Sequence, residues 1–433
     1  MAGLLLAIPD LVALDLPALA AAASYPGTSV IPATSWLLSL LALKLTATRR
    51  VSHVDDLLAD PAPALLAGLS ILPKKTALTD YSYRLSHDHQ QRFLAALDKQ
   101  MIAKGLTAAG EAIFDLDFHA VMHWGHDPAL EKHYVPTRSQ RSRSVLTFFA
   151  QDTGTHNLVY ANADLTKASQ NREVIAFCDH WKAVSGSDPK MLIMDQKVTT
   201  QAILGELDAR GVKFATLRMR SPALMKQINA LTSKDFKQIT LDRTGRHTKP
   251  RVHETTAVKL TSYPGTVRQL VITVLGRDAP TVLITNDTQI TTKALITHYA
   301  RRMTIEQRLA EIIQAFCADA LSSAVNLKVD LDVVLCVLAQ ALTAAFRLRL
   351  PGNYPTPPPT PASAASWTPP ARSSPPAPAA PSRSTAAPTH PSSARPASPP
   401  TPPSPGGTDA SSTSNSPDPR VLRVSFVIST RRR

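Results

Sequence analysis

The sequence predicts a mixed α/β fold preceded by a mainly helical N-terminal region. Before residue 110, apolar residues recur at three-to-four spacing, which is typical of amphipathic helices. From residue 111 onward, short strand-like apolar runs alternate with further helical patterns. This patterning stops at Pro351, so residues 1–350 are expected to form the folded body.

The segment 351–433 differs sharply in composition from the rest of the chain. It holds 22 of the 36 prolines, mixed with Ala, Ser and Thr, and it contains no lysine. Such a segment cannot bury enough apolar surface to offset the entropy that ordering would cost. The sequence therefore predicts a disordered Pro/Ala/Ser/Thr-rich tail.

The N-terminal region, residues 1–110, divides into two parts. Residues 1–34 carry little pattern and are expected to pack loosely, whereas the remainder reads as mostly helical. The apolar run Trp36–Leu45 is about half as long as a membrane span and contains a lysine, so it is interpreted as a buried helix. Two amphipathic segments follow, Val54–Leu69 and His87–Lys104.

A short basic segment lies between these two helices. It runs from Lys74 to Arg84, directly after a proline turn. This arrangement is compatible with the second helix of a helix-turn-helix unit, which reads DNA in the major groove. We therefore predict that Lys74 and Lys75 contact DNA, with a plain helical subdomain as the alternative.

Between residues 111 and 218 the order of elements indicates a ribonuclease H-like sheet. Three strands come first, and strand–helix alternation follows. The predicted strands are 112–122, 144–150, 157–162, a run from Met191 ending at Asp195, and 212–218. The predicted helices of this part are 171–184 and 198–210.

Residues 219–288 interrupt that order and are interpreted as a β-rich insertion. Their strand-like runs are 236–241, 252–260, 268–275 and 281–286. Helical patterning resumes at Thr291–Ala315 and ends with Val329–Leu348. Residues 289–350 are therefore expected to complete the core.

The charge balance favours a polyanionic partner. The formal net charge is +14, of which the eight arginines and two aspartates of the tail account for +6. A basic folded body is typical of proteins that bind nucleic acid, although charge can also serve solubility alone. Arg138, Arg141 and Arg143 precede the second predicted strand and are expected to contact DNA phosphates.

The cysteines and the N-terminus indicate a soluble protein of a reducing cytoplasm. The three cysteines are isolated and form neither a metal-ligand spacing nor a disulfide framework. The apolar N-terminus is interrupted by Asp10, Asp15 and Pro17, and no basic segment precedes it, so a signal peptide is not expected.

Three carboxylates from separate elements suggest metal-dependent chemistry on phosphodiesters. Asp117 lies in the first strand, Asp195 ends the fourth, and Glu306 lies in the late helix. Carboxylates are acceptor-only groups that bridge hard cations, and two such ions about 3.5–4 Å apart suit an in-line displacement. Asp115 competes with Asp117 for the first position, and each carboxylate could instead be an ordinary turn, cap or surface residue.

Two residues before Glu306 extend this pattern. Tyr299 and Arg302 precede it by seven and four positions, so the three share one face of a continuous helix. Arg302 is expected to contact a phosphate near the scissile bond, and Tyr299 to orient it. A salt bridge within the helix is the alternative.

These residues resemble the motifs of bacterial insertion-sequence transposases of the DDE type. The resemblance rests on Leu116–His119, Leu192–Asp195 and the spacing Tyr299-x2-Arg302-x3-Glu306, and it covers roughly residues 30–350. It favours Asp117 over Asp115, and it implies a ribonuclease H-like core whose Asp117, Asp195 and Glu306 hold two Mg²⁺, with Mn²⁺ as a substitute. It also implies double-stranded DNA partners, namely terminal inverted repeats and target DNA, a homodimer, and a bacterial cytoplasm with nucleoid association.

The chain departs from that family pattern in two ways. The family places a lysine seven positions after the glutamate, where this chain has Ile313. The tail is also atypical, and we hypothesise that residues 351–433 are translated from a shifted reading frame, which the nucleotide sequence would test. The alternatives to a transposase are a catalytically lapsed DNA-binding relic and a ribonuclease H-like nuclease that cuts without joining.

Overall fold

A computed structural model describes most of the patterned body of the chain. The described residues are 1–122, 130–135, 139–242, 247–274, 279–319 and 326–350. The predicted disordered tail, 351–433, lies outside the described residues.

The N-terminal region is mainly helical, as predicted, but the predicted helix Val54–Leu69 is divided at Asp60 into a 3₁₀ turn and a separate short helix. The helices are α1 (Ile8–Ala13), α2 (Leu16–Ala22), α3 (Ala33–Leu45), α4 (Pro61–Leu66), α5 (Lys75–Ser82) and α6 (His87–Ala103), with 3₁₀ turns at Ala2–Ala7 and Val51–Leu57. The apolar helix α3 is buried on nearly all sides. Its lysine, Lys44, places its ammonium 2.9 Å from Asp332, so the one charge on this helix is paired inside the protein.

The expectation that residues 1–34 pack loosely is wrong. Leu4, Leu14 and Leu19 are at most 2% exposed and belong to the main hydrophobic core. Prolines in the first turns of α1 and α2 start two helices of six and seven residues. Helices this short display only one or two apolar positions each, so no period was visible in the sequence.

One ten-stranded sheet forms the centre of the fold. Its strands are β1 (Ile113–Met122), β2 (Lys132–Val135), β3 (Gln140–Asp152), β4 (Leu158–Asn162), β5 (Met191–Met194), β6 (Lys213–Leu217), β7 (Lys237–Gln238), β8 (Arg251–Lys259), β9 (Thr266–Thr273) and β10 (Thr281–Thr285). The order across the sheet is β2-β3-β1-β5-β6-β10-β9-β8-β7, and β4 pairs with β3.

Strand β1 occupies the middle of the predicted ribonuclease H-like part. It pairs antiparallel with β3 on one edge and parallel with β5 on the other, and β5 pairs parallel with β6. This mixed arrangement agrees with the predicted fold class. Strand β2 was not predicted; it pairs with the first residues of β3 and forms a ribbon with them.

The strands of the predicted insertion extend the same sheet. Strand β10 pairs antiparallel with β6, and β9, β8 and β7 follow outward. All four lie close to the runs expected from sequence. The domain boundaries themselves stay predictions.

The later helices cover the two faces of the sheet. They are α7 (Glu173–Ser185), α8 (Gln201–Ala209), α9 (Pro222–Asn229), α10 (Thr292–Arg301), α11 (Met303–Phe316) and α12 (Asn326–Arg349). Leu192 and Met194 of β5 point into the main core, whereas Met191 and Ile193 point into a second apolar cluster on the opposite face. Alternation along a strand requires this division.

Helix α12 is the one single helix of the described part that is long and apolar enough to cross a membrane. In its window Val329–Arg349, 78% of the residues are buried within the protein, as in the core helix of a globular fold. The bent pair formed by Gly3–Ala13 and Leu16–Ala22 passes the same test only when both helices are counted as one span.

Candidate active site

Asp117 and Asp195 stand at equivalent positions on neighbouring parallel strands. The last residue pair between β1 and β5 joins Leu116 to Met194, and each aspartate is the next residue of its strand or of the turn that follows. Both have the parity of Ile193, so they lie on the sheet face of the second apolar cluster. The Asp195 carboxylate accepts a hydrogen bond of 2.8 Å from the backbone N–H of Gln196, which fixes it at the turn.

Arg302 connects the first strand to the third predicted carboxylate. One guanidinium nitrogen lies 3.1 Å from Asp117 Oδ1, and another lies 3.1 Å from Glu306 Oε1. Its side chain is 10% exposed, whereas that of Glu306 is 44% exposed. Burial disfavours the charge of Arg302, but the carboxylates of Asp117, Asp195 and Glu306 outweigh it and raise the pKa of Arg302.

The predicted continuous helix Thr291–Ala315 is two helices, α10 and α11, that meet at Arg302. The backbone N–H of Arg302 donates to Tyr299 O, and that of Ile305 donates to Arg302 O. Both bonds span three residues, so the chain tightens into a 3₁₀-like turn at this point. The tighter turn changes the angular spacing that a continuous helix would give Tyr299, Arg302 and Glu306.

The three predicted carboxylates share one electrostatic environment. Burial raises the pKa of Asp117 to about 6; Arg302 opposes that rise, and Glu306 and Asp195 add to it by repulsion. No cluster of three His, Cys, Asp or Glu residues with metal-binding geometry occurs among the described residues. The cation between Asp117 and Glu306 is the guanidinium of Arg302.

The donor set nevertheless fits a hard divalent cation. All three groups are carboxylates, which supply the oxygen ligands that Mg²⁺ and Mn²⁺ prefer. Asp117 and Glu306 already hold a positive group between them, and Asp195 is close enough to influence both Asp117 and Arg302. The ligand set of Asp117, Asp195 and Glu306 stays a prediction.

Asp115 lies on the same sheet face but deeper than Asp117. It is fully buried. Burial raises its pKa to about 7, with Arg302 and the nearby Thr304 hydroxyl opposing the rise. Because Asp117 is partly exposed and contacts Arg302, the geometry favours Asp117 as the first carboxylate.

Tyr299 lies on α10, one turn before Arg302. Its ring is half-buried against the second apolar cluster, which also contains Leu295 and Ile296 of the same helix. The ring of Tyr299 therefore helps to pack α10 against the sheet. The predicted role of Tyr299 in orienting a phosphate stays a prediction.

The ribbon of β2 and β3 concentrates positive charge. Lys132 stands directly opposite Arg143, and Tyr134, which is 53% exposed, stands opposite Arg141. The guanidinium of Arg143 donates to the carbonyl of Leu130 at 3.1 Å, and DNA contact by Arg141 and Arg143 stays a prediction. Lys132 was not among the residues predicted to contact DNA, although the alternation of side chains from Lys132 to Tyr134 is typical of a strand. Arg138 lies outside the described residues.

The predicted basic helix of the N-terminal region is α5. Lys74 precedes it, Lys75 begins it, and both are exposed at its N-terminus. The opposite side of α5 is anchored by Tyr81, whose ring stacks on that of Trp36 with centroids 4.8 Å apart. DNA contact by Lys74 and Lys75 stays a prediction.

The position at which the family resemblance expects a lysine is part of the packing. Ile313 is half-buried against the main hydrophobic core. An ammonium here would lose water for apolar neighbours, which explains why this helix turn carries no phosphate-binding charge.

Comparison with known families identifies the class of protein. Residues 112–342 match the family described as "Transposase DDE domain". This stretch covers more than half of the chain and includes Asp117, Asp195 and Glu306, so the chain belongs to this family of transposases. A search of curated proteins found no match. The predicted DDE-type resemblance is confirmed at the level of the family.

Proposed function

We propose that this protein is a DNA transposase that cuts the ends of a mobile element and joins them to target DNA. The observation that carries the proposal is the contact of Arg302 with both Asp117 and Glu306, beside an aspartate in register on the next strand. It brings an acidic group from the late helix to two acidic groups of the sheet.

Asp117, Asp195 and Glu306 would hold two Mg²⁺ ions, with Mn²⁺ as a substitute. When bound, such ions activate the attacking oxygen and stabilise the leaving oxygen of a phosphodiester. Asp117 and Asp195 would hold the ions from the sheet, and Glu306 would hold them from α11. Arg302 would release the carboxylates and turn to the phosphate beside the scissile bond, where its planar fork suits two phosphate oxygens.

Double-stranded DNA is the proposed partner, as terminal inverted repeats and as target. The like-charge ribbon of β2 and β3 would bind backbone phosphates through Arg141 and Arg143, and α5 would add Lys74 and Lys75. Such contacts release counterions, so binding would weaken steeply with salt. A homodimer that holds both element ends and a bacterial cytoplasmic, nucleoid-associated location belong to the same proposal.

The test uses a plasmid that carries the gene with its native flanking DNA, incubated with purified full-length protein and Mg²⁺ or Mn²⁺. We expect metal-dependent nicks at the element ends and joined products in a second plasmid. The Asp195→Ala variant should lose both products and keep DNA binding, and the matched control Asp88→Ala, at an exposed carboxylate on α6, should keep all three.

The same assay separates the alternatives. Nicks without joined products would identify a nuclease that does not transfer strands. Binding without nicks, unchanged by Asp195→Ala, would identify a DNA-binding relic and would overturn the catalytic proposal.

A further inference from the structure

A polar cleft lies between α11 and α12, beside the turn that joins β3 to β4. Its cavity volume is about 20 Å³, which is room for about one water molecule, and beyond that the cleft opens to solvent. The polar residues that line it are Asn157, Arg308, Glu311, Gln340, Thr343 and Arg347. Two arginines therefore meet one carboxylate in the same cleft.

Arg308 is an arginine whose burial is not fully compensated. It is 9% exposed, and its guanidinium donates to Glu311 Oε2 at 2.9 Å. Its Nε atom has no hydrogen-bond partner in the described segments. Burial, with the neighbouring charge of Arg347, lowers the pKa of Arg308 although Glu311 opposes this. A buried donor without an acceptor is destabilising, so a ligand is expected to supply one.

Arg347 adds a second positive charge at the half-buried end of the cleft. No ion pair to its guanidinium occurs within residues 1–350 as far as they are described. Burial raises the pKa of Glu311 to about 7 even though both arginines oppose the rise. Two guanidinium groups therefore face one carboxylate, so the charges that line the cleft sum to a positive value.

The neutral lining groups already have partners within the protein. The Gln340 side chain accepts from the backbone N–H of Leu158 and donates to Asn157 Oδ1. The Thr343 hydroxyl donates to Ala339 O. The donors left for a ligand are those of the two guanidinium groups, and they select an anion with several acceptor oxygens.

We propose that this cleft binds a backbone phosphate of the DNA strand, at a position that flanks the cleavage point. Arg308 and Glu306 are two residues apart on α11, so their side chains point about 200° apart around the helix. The bound phosphate is therefore not the scissile one. The inference rests on the proposed function, because it makes the DNA substrate the source of the phosphate.

The experiment measures equilibrium binding of a fluorescein-labelled 30-base-pair duplex of arbitrary sequence across a salt series in EDTA, where no cleavage occurs. Arg347→Gln should bind severalfold more weakly than the wild type and lower the slope of log K against log salt by about one. Glu311→Gln should bind more tightly, because it removes the competing carboxylate and frees Arg308. Arg92→Gln, at an exposed arginine on α6, is the charge-matched control.

Equal weakening by Arg347→Gln and Arg92→Gln would overturn the inference, because only overall charge would then matter. An unchanged or lower affinity of Glu311→Gln, with an unchanged thermal midpoint, would overturn it as well. A calorimetric titration with inorganic phosphate forms the second arm. Phosphate binding that Arg347→Gln abolishes, without any change in DNA binding, would assign the cleft to a free phosphate and overturn the DNA assignment.

The readout also separates this inference from the proposed function. If the wild type cleaves and joins DNA but Arg347→Gln keeps the wild-type slope, the inference about the cleft fails and the proposed function stands. If the proteins bind the duplex with the expected slopes but the wild type never cleaves DNA, the catalytic proposal fails and the inference about the cleft stands.

Discussion

Helices α11 and α12 both carry charged or polar side chains into the interior, but they leave them in different states. On α12, Asp330 accepts from the backbone N–H of Ala163 and pairs with His87, and Asp332 pairs with Lys44. On α11, the Nε atom of Arg308 is buried and has no hydrogen-bond partner in the described structure. The buried part of α12 therefore pairs its charged side chains within the protein, although Arg347 near its end lines the cleft, whereas α11 keeps a buried donor without an acceptor.

The apolar residues of the two helices support the same distinction. Residues 333–339 of α12 are at most 1% exposed and belong to the main core. Helix α11 also contributes apolar residues to that core, including Ile305 and Ile312, but it presents Glu306 to the candidate site and Arg308 to the cleft. Substitutions in the buried part of α12 should therefore lower stability, whereas substitution of Glu306 on α11 should lower activity.

The largest expected effect is the loss of catalysis on α11. Glu306→Gln keeps the size of the side chain and removes its charge, so it should lower metal-dependent cleavage by at least about a thousandfold. Because the side chain of Glu306 is exposed, the thermal midpoint of the Glu306→Gln variant should stay within a few degrees of that of the wild type. A variant that cleaves at the wild-type rate would remove Glu306 from the site.

A core truncation on α12 should show the opposite behaviour. Leu338 is fully buried, and Leu338→Ala should lower the free energy of unfolding by about 2–5 kcal/mol. Urea unfolding followed by circular dichroism measures this change. Cleavage per folded molecule should be unchanged; a catalytic defect in well-folded Leu338→Ala would break the distinction between the helices.

A substitution of Arg302 should reveal whether its guanidinium and a metal ion compete for the carboxylates of Asp117 and Glu306. Arg302→Gln leaves Asp117 and Glu306 without a cation, so the metal-free protein should lose about 1–2 kcal/mol, a value reduced for the exposure of Glu306. Added Mg²⁺ should stabilise this variant more than the wild type, because no guanidinium competes for the carboxylates. Thermal unfolding with and without Mg²⁺ gives both numbers, and Arg92→Gln should show the wild-type response.

The smallest effect concerns pH and the paired groups of α12. Burial opposes protonation of His87, but Asp330 outweighs it and raises the pKa of His87 above its usual value of 6.5. The folded protein therefore binds this proton more tightly than the unfolded chain. The resulting stability is fully present below about pH 6.5 and is lost as pH rises through the folded pKa. Urea midpoints at pH 6 and pH 8.5 should differ less in His87→Gln than in the wild type.

The sequence predicted the strands better than the details of the site. Strand β5 is a fully buried apolar run, and β1 alternates apolar with polar residues, so both strands were recognisable and Asp117 and Asp195 follow from them. The turn at Arg302 was missed because good helix formers surround it and a 3₁₀ turn has no distinct composition. The β2 ribbon was missed because it is only four residues long.

Buried charge is the second class of feature that the sequence concealed. Arg308 and Glu311 have the spacing of an ordinary exposed helix pair, and only the packing of α11 against α12 shows that they are enclosed. Asp115 and Asp117 have the same parity, so alternation could not separate them. The depth of each side chain beneath α11 was needed for that choice.

Pairing of β1 along both of its edges has a consequence for how the acidic groups come together. The backbones around Asp117 and Asp195 are held by ladders on adjacent strands, whereas Glu306 depends on one guanidinium and on the seating of a helix. Of the three carboxylates, that of Glu306 is carried by an element that strand pairing does not hold in place. When substrate binds, we therefore expect α11 to shift while the strands that carry Asp117 and Asp195 keep their positions.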